Sequence, residues 1–193
     1  MLSIFNMAVS PLDIIYLDAE FTELNSPELL SLGMASGTGT EHYAELDLQH
    51  PENAGVQRQC SDFTRYGCVL EQFGLVTGSA SRLADMARRT ADWLTVETQN
   101  IRARSGQPAF IAFDLPTDYE LLVSLLQRDE RWPHLASQIQ ALDVSELTCR
   151  LDAAIAADAA FEALRRNRRL SRHHALADAW ALRAAVQLHR RTP

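Results

Sequence analysis

Hydrophobic and polar positions along this chain switch between two periods. The stretch "LDIIYLD" is continuously apolar, rich in β-branched and aromatic residues, and ends on an acid. That pattern predicts a central strand buried on both faces. "SPELLSLGMAS" contains a second strand, "GTGT" is a turn, and "EHYAELDL" alternates as a third strand. Strands joined through a glycine-rich turn predict an antiparallel meander. A polar, irregular stretch follows, "QHPENAGVQRQCSDFTRYG". The period then changes: Leu83, Met86, Ala87, Trp93 and Leu94 fall on one face of a helix. "PAFIAFDL" is another buried strand, and "TDYELLVSLLQR" opens a helix with a capping box, Thr117 as N-cap and Glu120 three residues on. "HLASQIQALDV" holds a last short strand. The alanine-rich remainder is helical to "HALADAWALRAAVQLHRR". Strands first, then strand and helix in alternation, predict an α/β domain with a mixed sheet and helices on its faces.

The length of 193 residues fits one domain with a sizeable core. The formal net charge of −7 argues against a general nucleic-acid coat protein. The charge is uneven, however. From Ala160 to Pro193 eight arginines stand against two acids, a net of +6 that leaves −13 on the rest. Cys60, Cys68 and Cys149 have neither metal-type spacing nor an even count, which fits a reduced, cytoplasmic setting. The opening "MLSIFNMAVSPLD", with Met7 as an alternative start, carries no basic n-region and no long apolar run. No signal peptide or membrane span is expected.

The candidate chemistry begins at the end of the first strand. Asp18 and Glu20 are two residues apart, so they share one face. Two adjacent buried carboxylates repel, and one must keep its proton unless a cation neutralises both. Mg²⁺ and Mn²⁺ favour such oxygen ligands. Asp118 falls in the first turn of the helix after "FIAFDL", a strand-to-helix junction of the kind where α/β sheets place functional groups. Asp114, at the strand end, is the alternative acid there. His173 precedes Asp178 by five residues at the entry to the final helix, with His174 beside it.

Together, "LDAEF", "TDYELL" and "HHALAD" resemble the three motifs of the DEDDh group of 3′-5′ exonucleases, within the RNase H-like (DnaQ-type) superfamily. Their order and spacing agree, and the resemblance spans nearly the whole chain. The run "LDAEFTELNSPELLSLGMAS" followed by "EHYAEL" looks most like small stand-alone bacterial exoribonucleases of that group. The resemblance implies an RNase H-like, five-stranded mixed sheet, three strands antiparallel and then two parallel. It implies that Asp18, Glu20, Asp118 and Asp178 bind two divalent ions, Mg²⁺ or Mn²⁺, and that His173 is the general base. Asp118 is preferred to Asp114 because it begins the helix and precedes Leu121 and Leu122. His173 is preferred to His174 for its spacing to Asp178. The implied activity is 3′-5′ hydrolysis of nucleic acid from a single-stranded 3′ end, with RNA ahead of DNA. A homodimer is implied by the same resemblance. Many relatives place Thr directly after the first-motif Glu, whereas here Phe21 comes first and then Thr22, which makes Phe21 a candidate to contact a base. Arg165, Arg166, Arg168, Arg169 and Arg172, on the expected loop before His173, are candidates to draw the phosphate backbone in.

Overall fold

A computed structural model describes residues 9–189. Met7 lies outside the described residues, as do Arg190 and Arg191 at the expected end of the last helix. The elements run β1 (Ile14–Phe21), β2 (Leu29–Ser36), β3 (Glu41–Leu46), α1 (Val56–Gln59), α2 (Asp62–Tyr66), β4 (Ala80–Ser81), α3 (Leu83–Ser105), β5 (Ala109–Phe113), α4 (Pro116–Leu126), α5 (Trp132–Ala136), β6 (Ile139–Asp143), α6 (Ser145–Thr148), α7 (Leu151–Arg168) and α8 (Ala175–His189). They form one α/β unit around a mixed sheet of order β4-β3-β2-β1-β5-β6. β1, β2 and β3 are antiparallel neighbours, and β5 and β6 run parallel to β1.

The sheet has six strands where five are expected. The additional strand, β4, is two residues long and pairs parallel with β3, Glu45 opposite Ala80 and Leu46 opposite Ser81. Backbone bonds hold it, from Glu45 N–H to the Ser79 carbonyl (3.3 Å) and from Asp47 N–H to the Ser81 carbonyl (2.9 Å). Two residues set no hydrophobic period, so the pattern carries no trace of it.

β1 explains how the sheet is layered. Ile15, Leu17 and Ala19 point to one face and join residues of α3 and α4 in the largest core cluster. Ile14 and Tyr16 point to the other face and pack against Leu182, Ala185 and Val186 of α8. Asp18 and Glu20 continue this second register, so they lie on the α8 face. In α3 the buried positions Met86, Ala87, Thr90, Ala91, Leu94, Thr98 and Ile101 recur every three to four residues, and the helix ends at Gly106 with φ 70°.

Three local expectations change. Helix α4 starts at Pro116, with Leu115 as its cap and no side-chain cap bond, so Thr117 lies inside the helix. Proline suits the first helical position because its fixed φ fits and its missing N–H would be unpaired there anyway. Asp118 still falls in the first turn. The polar stretch 49–67 is not irregular throughout: it folds into α1 and α2, the latter capped by the Ser61 hydroxyl accepting from Thr64 N–H at 3.1 Å. The arginine-rich approach to His173 is mostly helix, since α7 runs to Arg168 and the chain turns at Arg169 with φ 60°. Among the described residues no helix is long and apolar enough to cross a membrane. Cys60, Cys68 and Cys149 are free thiols.

Candidate metal centre

Strand pairing builds the first half of the site. β1 and β5 pair only from Ile14–Phe110 to Tyr16–Ala112 and then part. The same offset carried two residues on sets Asp18 beside Asp114, at the carboxyl ends of two parallel strands. There the sheet switches from antiparallel to parallel order around β1, the position where α/β sheets open a crevice. On the other side of β1, Asp18 lies opposite Gly33 and Glu20 opposite Ser31, and the register shifts between Glu20 and Phe21. Such a bulge re-aims the side chains next to it.

Two helices supply the other acids. Asp118 is buried in the first turn of α4, and its carboxylate accepts a hydrogen bond from the backbone of Ala19 on β1. Asp178 is in the first turn of α8. What brings α8 close is Gly33: a Cβ added there would stand 2.2 Å from the Ala175 carbonyl carbon and 2.2 Å from the Leu176 nitrogen. Only a glycine lets the backbone of α8 lie against β2 at the residue opposite Asp18.

The result is two triads of carboxylates with one member in common. Asp18, Glu20 and Asp178 offer oxygens within 4.8 Å of one another, and so do Asp18, Asp114 and Asp118. Oxygens on opposite sides of a Mg²⁺ are separated by roughly 4.2 Å, twice its bond length, so each triad is near coordination spacing. Asp114 and Asp118 are alternatives in the sequence, and the structure brings both to the cluster.

The electrostatics are those of acids crowded together away from water. Burial pushes Asp18 well above the usual carboxylate range, reinforced by Asp178, Asp118, Glu20 and Asp114. Glu20 is pushed up to about 8 by burial and by Asp178. Asp118 rises to about 8 through burial, then Asp114 and Glu20. Asp178 rises to about 7 through burial, against hydrogen bonding from the His173 backbone and the charge of Arg172. Asp178 Oδ2 is buried without a hydrogen-bond partner. An all-oxygen donor set with an orphaned buried acceptor fits a hard divalent cation, which would remove the repulsion and satisfy that atom.

The two histidines differ in setting. His174 is buried; its ring stacks on Tyr43 at 4.3 Å and its Nδ1 accepts from Leu176 N–H at 3.2 Å. His173 is half-buried, sits at φ 64°, and has a pKa lowered by burial and by Arg172. A left-handed backbone is uncommon outside glycine, and such strain concentrates at functional sites. The Phe63 ring meets His173 edge-on at 5.1 Å. No local pattern in the sequence links Phe63 of α2 to this loop. Its helix is fixed to the end of β1, Ser61 N–H (2.9 Å) and Thr64 Oγ1 (3.0 Å) both donating to the Thr22 carbonyl.

Phe21 is half-buried and packs against the main core with one part exposed. Thr22 is fully buried, its Oγ1 accepting from Glu28 N–H at 3.0 Å, so its hydroxyl is committed within the protein. The arginines before His173 divide. Arg168 grips Glu41 with two bonds of 2.7 Å, Arg165 pairs with Glu162, and Arg166 donates to the Glu162 carbonyl. Arg172 lies over the Phe161 ring at 4.5 Å and pairs with Asp158. In comparisons with known proteins, no family model and no curated protein matches the chain.

Proposed function

We propose that the chain is a metal-dependent 3′-5′ exonuclease of the DEDDh type on an RNase H-like fold. It would hydrolyse phosphodiester bonds from a single-stranded 3′ end, RNA ahead of DNA. The observation that carries this reading is the sharing of Asp18 between two oxygen triads. It is the arrangement a two-metal phosphodiesterase needs, with one carboxylate serving both ions. Two bound Mg²⁺ or Mn²⁺ ions would polarise the scissile phosphate, activate a water and offset charge on the leaving 3′-oxygen. In this reading Glu20 and Asp178 complete one position, and Asp118 with Asp114 the other. His173 accepts the proton of the attacking water on a ring nitrogen; its lowered pKa leaves the ring neutral and ready near pH 7. Phe21 offers its exposed part to the terminal base. The strand order β3-β2-β1-β5-β6, antiparallel then parallel, supports the fold assignment, with β4 as an added edge. RNA is put first on the resemblance to small bacterial exoribonucleases.

The test is a time course on 5′-labelled single-stranded RNA and DNA of equal sequence, with Mg²⁺, Mn²⁺ or EDTA, beside Asp18→Asn. The expected result is a ladder shortening from the 3′ end, dependent on metal and absent in the variant. The RNA-to-DNA rate ratio assigns the substrate. If neither strand shortens with either metal, the nuclease reading falls, and a nucleic-acid-binding module takes its place.

A further inference from the structure

A cavity of about 290 Å³ lies between α7 and α8 and reaches the acidic cluster. Asp18, Asp114 and Asp178 stand in its wall, with Ala157 and Phe161 of α7 and Ala181 of α8. An anion entering here is repelled unless a cation meets it. Among the described residues of this wall, Arg172 is the one basic side chain.

We propose that Arg172 is the phosphate hold of the site, exchanging Asp158 for a backbone phosphate adjacent to the one at the acidic triads. The inference rests on the nuclease reading and deepens it. Of the arginines before His173, Arg165, Arg166 and Arg168 are engaged with Glu162 or Glu41, and Arg169, at the turn after α7, is not in the cavity wall. Arg172 directly precedes His173 and has Asp158 as its ion-pair partner, the two side chains 61% and 63% exposed. So exposed a pair is screened by solvent and salt and yields readily to a competing anion. The carboxylate of Asp158 shows what the guanidinium fork accepts, and phosphate oxygens match that fork in the same way. Phe161 carries the guanidinium on its ring face independently of Asp158, so the fork stays in place while its partner changes.

The test measures binding of a fluorescent single-stranded oligoribonucleotide with phosphorothioate 3′ linkages, by anisotropy in Mn²⁺ across a salt series. Hydrolysis of the unprotected strand is measured in parallel. Arg172→Gln is expected to raise Kd about tenfold and to reduce the slope of log Kd against log salt by about 0.7, the loss of one single-strand phosphate contact. Arg172→Lys should recover part of the affinity. Asp158→Asn, which frees the arginine, should tighten binding about twofold. An unchanged Kd and slope in Arg172→Gln overturns the assignment, and so does a wild type that binds no oligonucleotide. A wild type that binds with the expected arginine dependence but hydrolyses nothing keeps Arg172 as a phosphate hold and removes the nuclease reading instead.

Discussion

Two glutamates, Glu45 buried and Glu20 half-buried, lie in one row across the sheet. Glu20 on β1 stands opposite Ser31 on β2, and Ser31 stands opposite Glu45 on β3. Glu45 is 1% exposed and accepts three hydrogen bonds, from Tyr43 Oη (2.8 Å), Ser79 Oγ (3.0 Å) and Gly74 N–H (3.0 Å). Glu20 has Asp18 and Asp178 within ligand distance. The first is a carboxylate whose burial is offset by neutral donors from its own fold. The second is surrounded by acids, and in the proposed function a bound cation would complete it. Position in the sheet does not separate a structural acid from a functional one; the partners its neighbours supply do.

The sharpest break in this comparison is to neutralise one acid of each kind. Asp18→Asn removes the negative charge, and one of the two carboxylate oxygens, of the residue common to both triads. Hydrolysis should fall by roughly three orders of magnitude or more, and added Mn²⁺ should no longer raise the melting temperature. Glu45→Gln should instead lower stability by about 1–3 kcal/mol through imperfectly replaced hydrogen bonds, leaving the rate per folded molecule unchanged. A Glu45→Gln variant that stays stable but loses activity would merge the two classes.

The histidine pair gives a second contrast of the same kind. His173→Asn keeps a residue that tolerates φ 64° while removing the base. Its kcat should drop about 10²–10⁴-fold with KM and metal-induced stabilisation close to wild type. His174→Asn, in the buried stack on Tyr43, should lower the melting temperature while its kcat, measured where it is folded, stays near wild type. Equal kcat losses in both would remove His173 from its special role.

Gly33 tests whether backbone contact places Asp178. In Gly33→Ala the new methyl meets the first turn of α8 at 2.2 Å, and backbone atoms there cannot rotate aside. Overpacking of this kind costs about 1–3 kcal/mol. The distinctive effect is on the metal: Mn²⁺ affinity, titrated calorimetrically, should fall about tenfold because Asp178 moves off Asp18. A variant less stable but with native Mn²⁺ affinity would show that α8 is placed by other contacts.

Some of this was legible in the sequence for identifiable reasons. Asp18 and Glu20 share a face by the two-residue period of a strand, α3 announces itself by apolar spacing, and the C-terminal helices by their alanine-rich composition. The antiparallel pairing of β2 with β3 follows from a glycine-rich turn and the mixed character of the sheet from the later alternation with helices, while the five-strand arrangement is what the family resemblance implies. What stayed hidden depends on contacts between distant segments. Asp114 reaches the cluster through the register of β1 against β5, which no local pattern encodes. Gly33 reads as a weak point in a strand until α8 is seen against it. Thr117 carries the right residue type for a cap, yet Pro116 before it sets the helix start.

The smallest expected effect, and the one that isolates the acidic cluster, is the pH dependence of the metal-free protein. Glu20 and Asp118 hold their protons to about 8 and Asp178 to about 7 in the fold, against 4.5 and 3.8 for the free side chains. Between those limits the folded state binds more protons than the unfolded chain, so stability declines as pH rises. The buried His42 and His174, both lowered to about 4 from 6.5, act with the opposite sign: their stability is lost as pH falls below 6.5. As pH rises past 6.5 the histidine contribution levels off, and the acids set the slope. In EDTA the melting temperature should therefore decline by a few degrees from pH 6.5 to about 8, and Asp178→Asn should flatten that decline. Cation binding requires the deprotonated acids, so the gap between Mn²⁺ and EDTA curves should widen over the same interval. A metal-free curve that stays level across it, with no widening in Mn²⁺, would mean these acids find compensating hydrogen-bond donors within the fold, as Glu45 does.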